Sequence, residues 1–231
     1  MNARAKKYFA INIVILLMIV SIYLATNAAM LQNVFAQVGQ SPIYKGNAQT
    51  ITFLISSQDD FQQIVNVAQL GKETGIKFTI AVTEEQLNTQ AESIQSMSKM
   101  GHEIILQGMI DSQALSQEQV RNQLREEIHC YQKVMGKEAQ YYLPFRLQAT
   151  NSIKRVCKDQ GINVVLFSQD ARAIVHKNDQ EFSKTLINQI RQGDFVYLDV
   201  NTITKSQLES VKTELDQTEL KNQNMTQALI D

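Results

Sequence analysis

The chain is poor in the residues that break or staple a fold: its 231 residues include two prolines, nine glycines and two cysteines. With so little Pro and Gly, and with apolar residues spaced regularly through the polar runs, a disordered or low-complexity chain is excluded. Neither sign of charge is in excess, since 22 Lys and Arg against 23 Asp and Glu leave a formal net charge of -1. No broad basic face is available to release counterions from a polyanion, so nucleic-acid binding is not expected. The three histidines, His102, His129 and His176, are spread widely, and Cys130 and Cys157 form no Cys-x-x-Cys. The sequence therefore holds no self-contained zinc motif. It shows no internal repeat, and its length suits one membrane or export segment plus one domain large enough to bury a core.

What is present starts at the amino terminus. Arg4, Lys6 and Lys7 precede Tyr8 to Leu24, an apolar run interrupted only by Asn12 and Ser21. Extended through Ala25 to Leu31 it is long enough to cross the hydrocarbon core, with the cations left on the cytoplasmic side. The expected organisation is a basic stub at 1–7, a transmembrane anchor or signal segment at 8–31 and a polar linker at 32–48. A folded domain at 49–215 and a polar carboxyl-terminal tail at 216–231 complete it. The expected location is the cell membrane, single-pass, with the carboxyl-terminal domain outside. The alternative is secretion after cleavage near Ala36, where Val34-Phe35-Ala36 offers a tolerated site. In an oxidising exterior Cys130 and Cys157 can form a disulfide or stay as buried thiols. Cys157 shares an apolar stripe with Ile153 and Val156, whereas Cys130 lies off the main stripe of its helix.

From residue 49 onward short β-rich runs alternate with longer amphipathic ones, the pattern of β/α units in a parallel sheet or barrel. Strands are expected at 50–55, 77–82, 102–107, 140–143, 163–167 and 195–200, with weak edge pairing at 171–177. The helix after the first strand is expected to start at Ser57, with Asp60 in its first turn, and to stop at Gly75. Thr83 caps the next, running to about Met100, and Ser116 caps a third that ends at Gly136. Further helices are expected at 151–160, at 181–192 and from Lys205. Beyond Thr213 the tail turns Asn/Gln-rich and is expected to fray, although Leu215, Leu220, Met225 and Leu229 allow a short partner helix. Periodicity does not choose between an open sheet and a barrel.

Several segments resemble one family in order. Gly101-His102-Glu103-Ile104 is similar to the second motif of polysaccharide deacetylases, the NodB-homology fold of carbohydrate esterase family 4. There Gly-His-Glu-Ile-Gly runs into a His-x-x-x-His metal pair. Thr52-Phe53 matches the start of Thr-Phe-Asp-Asp-Gly-Pro, and the segment Gly75 to Val82 resembles the Gly-Ile-Lys-Ala-Thr-Phe-Phe-Val strand. Pro144-Phe145 matches the end of Arg-Pro-Pro-Tyr/Phe, and the segment Gly193 to Asp199 resembles Gly-Asp-Ile-Val-Leu-Leu-His. The resemblance implies an α/β fold, a distorted seven-stranded (β/α) barrel acting on cell-wall or other polysaccharides, here preceded by one amino-terminal transmembrane helix.

The family's chemistry needs a metal held by one aspartate and two histidines, a second aspartate as general base and a last histidine as general acid. At the matching positions this chain carries Leu54 and Ile55, Gln107 and Asp111, and Asp199. Tyr142 replaces the arginine before Pro144, and Arg146 the glycine after the aromatic. Two aliphatic side chains neither ligate a metal nor take a proton, and one carboxylate with one amide is a poor zinc set. Asp59-Asp60 falls too late to stand in and reads as a helix cap. His102 is expected to bond the backbone. Gln107, Asp111, Tyr142 and Asp199 are thus candidate substrate-binding residues of a degenerate pocket, with no catalytic residue, metal ligand or cofactor assigned. The expected function is a membrane-anchored, extracytoplasmic, catalytically inactive deacetylase-like protein that binds cell-wall glycan or an envelope protein partner. The alternative is an active metal-dependent carbohydrate N-acetyl deacetylase, using zinc or another divalent metal in a rearranged site of Asp111, Asp199 and His102.

Overall fold

The β-rich runs pair as parallel strands in an order that follows the chain outward from the first. The computed structural model describes residues 41–47, 49–56, 60–174, 178–201 and 203–230. The basic stub, the apolar segment 8–31, the possible cleavage near Ala36 and His176 lie outside the described residues. Among the described residues no helix is long and apolar enough to cross a membrane.

The strands are β1 (Thr50–Ser56), β2 (Phe78–Val82), β3 (Glu103–Gln107), β4 (Tyr141–Leu143), β5 (Asn163–Val164), β6 (Gln169–Asp170) and β7 (Phe195–Leu198). They pair in parallel in the order β5-β4-β3-β2-β1-β7-β6, and β8 (Lys221–Asn222) adds to the start of β1. Among the described residues β5 and β6 do not pair, so the sheet curls as a distorted, open barrel.

Because side chains alternate across a strand, the sheet buries two separate cores. Phe53, Ile55, Ile80, Leu106, Tyr142 and Val196 point outward to the helices. Leu54, Ala81, Ile105, Leu143, Val165 and Phe195 fill the inside. β1 is buried along its whole length.

The helices are α1 (Phe61–Thr74), α2 (Glu84–Thr89), α3 (Ala91–Lys99), α4 (Gln117–Met135), α5 (Asn151–Asp159), α6 (Asp179–Gln189), α7 (Lys205–Leu215) and α8 (Met225–Ile230). Thr83 and Ser116 cap α2 and α4 through complete capping boxes with Gln86 and Gln119, as their spacing predicts. Gly75 and Gly136 end α1 and α4 at φ 74° and 65°, a left-handed conformation that suits glycine.

Several expectations are corrected. α1 is capped by Asp60, whose Oδ1 accepts from the Gln63 amide at 3.2 Å, so it begins later than a Ser57 cap would place it. The helix expected from Thr83 to Met100 breaks at Gln90 (φ -129°), just after Asn88 and Thr89, both weak helix formers. The strand expected at 163–167 is shorter, and Val165 instead bridges Ile43. The edge pairing expected at 171–177 falls at β6, and residues 172–174 form a 3-10 turn. Cys130 and Cys157 are both free and buried; the Cys130 Sγ faces the Asn88 Oδ1 at 3.3 Å, so its helix buries a wider stripe than expected.

Residues of the segment read as linker lie on the sheet. Lys45 reaches the buried Asp194 carboxylate at 2.8 Å, and Asp194 also accepts from the Ser168 hydroxyl and the Arg191 amide. Beside it Gly193 has φ 80°, and a Cβ there would come within 2.6 Å of the Gly46 carbonyl oxygen.

The largest correction is the tail, which does not fray. α8 closes the amino-terminal end of the barrel, with Met225 and Ala228 fully buried in the inner core. The Met225 amide donates to the Thr79 hydroxyl at 3.0 Å and the Asn47 amide to the Ala228 carbonyl at 2.7 Å. Asn222 pairs both ways with the Lys77 backbone, accepting from its N–H and donating to its C=O. The polar residues that made this segment look solvated are its fastenings. Met225→Ala is expected to lower the unfolding free energy by about 2–5 kcal/mol in urea titrations, the range for truncation in a packed core. A loss under about 0.5 kcal/mol, typical of an exposed site, would mean that α8 is not part of the core.

Candidate functional site

In a parallel barrel the loops at the carboxyl ends of the strands form the mouth where ligands bind. Here β1 brings Leu54 to the inner face, with no exposed surface, and Ile55 to the outer face against the helices. Ser56 ends the strand, and its hydroxyl lies 2.8 Å from that of Tyr197 on β7. Gln107 ends β3; it is buried, and its Oε1 has no hydrogen-bond partner among the described residues.

The inner core reaches the mouth through Leu147, Phe167 and Tyr197, each partly buried against it. The Phe167 and Tyr197 rings stack at 5.1 Å between centroids, inclined by 22°. The Arg172 guanidinium sits 5.0 Å from the Tyr197 ring centroid and is gripped by both oxygens of Asp170. That pairing holds the Asp170 carboxyl below its ordinary range and raises Arg172. Asp199 follows β7, half-buried, and its Oδ1 accepts from the Asn201 amide at 3.0 Å. Asp111 is exposed, and its Oδ1 accepts from the Gln113 amide at 3.2 Å, an Asx turn within the loop after β3.

Tyr142, a candidate from sequence, does not line the mouth. It pairs with Leu106 in the β3–β4 ladder, which places its fully buried side chain in the outer core. Residues that sequence reasoning passed over, Ser56, Phe167, Arg172 and Tyr197, occupy the rim instead. The available signal was strand parity: Phe195 and Tyr197 alternate with Val196 and Leu198, so Tyr197 faces inward one step above Phe195.

His102 and Glu103 stand at the other end of β3. The His102 Nδ1 accepts from the Phe78 amide at 3.1 Å, and its Nε2 lies 2.8 Å from the Ala68 carbonyl oxygen, so Nε2 carries the proton of a neutral ring. Burial lowers the pKa of this ring, against the carbonyl contact, which raises it. The Glu103 carboxylate accepts from the Thr226 amide at 3.1 Å and from the hydroxyls of Thr226 and Thr79. It borders a cavity of about 360 Å³, also lined by Tyr131, Tyr141 and Asn224, at the amino-terminal ends of the strands.

His102 therefore does not converge with Asp111 and Asp199. A divalent cation is a poor fit at the mouth: Leu54 and Ile55 offer only carbon, Gln107 one amide oxygen, and Asp111 a solvated carboxylate tied into a turn. Among the described residues no three His, Cys, Asp or Glu side chains are grouped to hold an ion.

A family model described as polysaccharide deacetylase matches residues 49–165, just over half of the chain. The chain belongs to the polysaccharide deacetylase family. No curated protein matches it in sequence. Among solved structures, this deacetylase-family chain is similar to a CE4 family pseudoenzyme from Bacillus anthracis, with TM-score 0.70 and 14% identity over 81% of this chain and 68% of that one. It is also similar to a family 4 carbohydrate esterase from Bacillus anthracis, with TM-score 0.68 and 18% identity over 86% and 91% of the two chains. A peptidoglycan N-acetylglucosamine deacetylase superposes with TM-score 0.71 at 11% identity, over 80% and 91%. At such identities the likeness is one of fold.

In this member of the polysaccharide deacetylase family, His102 makes a pH-dependent contribution to stability. Its folded pKa lies below the ordinary 6.5, so the stability it gives is present above pH 6.5 and is lost as pH falls below that value. The difference in urea midpoint between wild type and His102→Ala should therefore be widest near pH 8 and should shrink toward pH 5. A difference constant across that range would contradict the neutral, backbone-bridging ring.

Proposed function

We propose that the chain is a membrane-anchored, extracytoplasmic member of the polysaccharide deacetylase family that binds cell-wall glycan without hydrolysing it. The observation that carries the reading is the end of β1. Where the family's resemblance calls for two aspartates, Leu54 is sealed in the inner core and Ile55 in the outer. Neither can hold a metal or accept a proton from water, and replacing one of them by an unpaired carboxylate would bury a charge at a cost of several kcal/mol.

What lies at the mouth suits binding. The stacked Phe167 and Tyr197 rings offer an apolar face to sugar C–H groups, and Arg172, Asp170 and Asp199 supply donors and acceptors for hydroxyls or an acetamide. The relatives named above, a pseudoenzyme among them, support a deacetylase scaffold for this role. The apolar run at 8–31, outside the described residues, supports the proposed anchor, and Arg4, Lys6 and Lys7 before it support an outward-facing domain.

The test uses the purified full chain. It is expected to bind N-acetylated chitooligosaccharides by calorimetry, to release no acetate from them or from peptidoglycan, and to retain no stoichiometric zinc, cobalt or nickel. Tyr197→Ala should weaken binding about tenfold, equivalent to about 1.4 kcal/mol. Stoichiometric metal together with acetate release that Asp111→Ala abolishes would overturn the reading. If glycan binding is absent but an envelope protein is retained, the scaffold serves that partner instead.

A further inference from the structure

The loop after β3 rests on a buried carboxyl that nothing in the proposed glycan site requires. Glu127 projects from α4 with 4% of its surface exposed, and its Oε1 accepts from the Met109 amide at 3.1 Å. Among the described residues its Oε2 is buried without a hydrogen bond of normal geometry, and so is the Tyr142 hydroxyl, which lies close enough to favour the ionised carboxylate. The loop lies directly on that hydroxyl: a Cβ at Gly108 would fall 1.7 Å from the Tyr142 Oη. Further along, the Ser112 hydroxyl meets that of Thr150 at 2.6 Å and the Gln113 side-chain Nε2 donates to the Gln148 Oε1 at 3.2 Å, joining this loop to the one after β4. Residues 108–115 thus form one side of the mouth, and Glu127 fastens their root.

We propose that Glu127 is a positioning residue that latches the 108–115 loop at the mouth, and that the latch loosens as its carboxyl ionises. In this role it regulates access to the glycan site proposed above, and to that extent rests on that reading. The groups facing it are Tyr142 from β4, Cys157 from α5, Glu84 from α2 and the Met109 amide from the loop itself. None of these is a cation. Burial is the largest influence on the carboxyl and pushes it up to about 7; Glu84 adds to the rise, while the Met109 amide and Tyr142 oppose it. When the loop opens, water reaches the carboxyl and its ordinary value of 4.5 returns.

Between pH 4.5 and about 7 the latched state holds a proton that the open state has lost, so opening releases it. The opening equilibrium rises about tenfold per pH unit through that window and is level above it. Acid tightens the loop, and neutral pH frees it.

Amide exchange of Met109 in the full chain measures this without any ligand. In wild type the exchange rate should climb about a hundredfold per pH unit between pH 5 and 7, tenfold from base catalysis and tenfold from opening, then about tenfold per unit above pH 7. Glu127→Gln should show tenfold per unit throughout. Tyr142→Phe keeps the ring but removes the hydroxyl that favours ionisation, so its change of slope should move to higher pH. Equal profiles for wild type and Glu127→Gln would overturn the latch. Affinity for chitotetraose at pH 5 and pH 7.5 then separates the two ideas. An affinity gain at pH 7.5 that Glu127→Gln abolishes supports regulation of the mouth, and a gain the variant retains overturns it. The expected exchange profiles with no binding at either pH would uphold the latch and refute the glycan site it was meant to serve.

Discussion

Complete burial of β1 is the constraint on which the rest of the molecule turns. The strand lies between β2 and β7, takes β8 at its start, and has no residue left to solvent. A strand enclosed on both faces tolerates charge only where a partner neutralises it, because an ionised carboxylate moved into such a site loses several kcal/mol of hydration. In a deacetylase with its metal, the cation and its histidines provide that partner. In this chain the donors for a cation do not fit, and the residues at 54 and 55 are aliphatic. Aliphatic side chains need no such partner, so hydrocarbon is a stable filling at the end of β1. Leu54 then joins Leu143 and Phe195 in the inner core, and Ile55 joins Ile80 and Leu198 in the outer.

The same logic explains what the Gly-His-Glu-Ile segment does. All of its work is at the amino-terminal end of β3, away from the mouth. Gly101 takes φ 97° to turn the chain out of α3. His102 ties β2 to α1 through two backbone groups, and Glu103 holds the first turn of α8. A buried imidazole or carboxylate with every hydrogen bond made specifies a packing arrangement, and one left unmatched is costly. These side chains therefore fix the sheet to its plug at the amino-terminal end of β3.

Local signals were the legible part of the sequence. Thr83 and Ser116 with their glutamines, and Gly75 and Gly136 after their helices, mark boundaries because capping is decided within four residues. The β/α alternation and the backbone-bonded His102 follow equally from short-range pattern. What pattern could not supply was long-range. The carboxyl-terminal segment looked solvated because it is rich in Asn, Gln and Thr. Yet Asn222 is satisfied by Lys77, and Thr226 by Glu103, across more than a hundred residues of chain. Tyr142 was placed by its neighbour Pro144, when strand parity assigns it to the outer core. Asp111 and Asp199 do stand near the carboxyl ends, as their positions after β3 and β7 require, but each is tied into its own turn.

The two ends of the barrel expose different chemistry, and the proposed glycan binding depends on the mouth. At the mouth the groups with surface to offer are the Phe167–Tyr197 stack and the Arg172–Asp170 pair, carried by the segment between β5 and β6, by the short edge strand β6, by the turn after it and by β7. These lie on the side of β1 opposite Gln107 and Asp111. Hydrolysis needs groups from both sides to converge on one carbonyl, within hydrogen-bond reach of a single water. Stacking and hydroxyl recognition need only one wall with apolar and polar atoms at fixed spacing. With β1 buried along its length, Leu54 and Ile55 bring no polar group to the centre of the mouth, and the aromatic and charged groups stand on one wall beside it. Such a one-sided wall is what the proposed glycan binding would use.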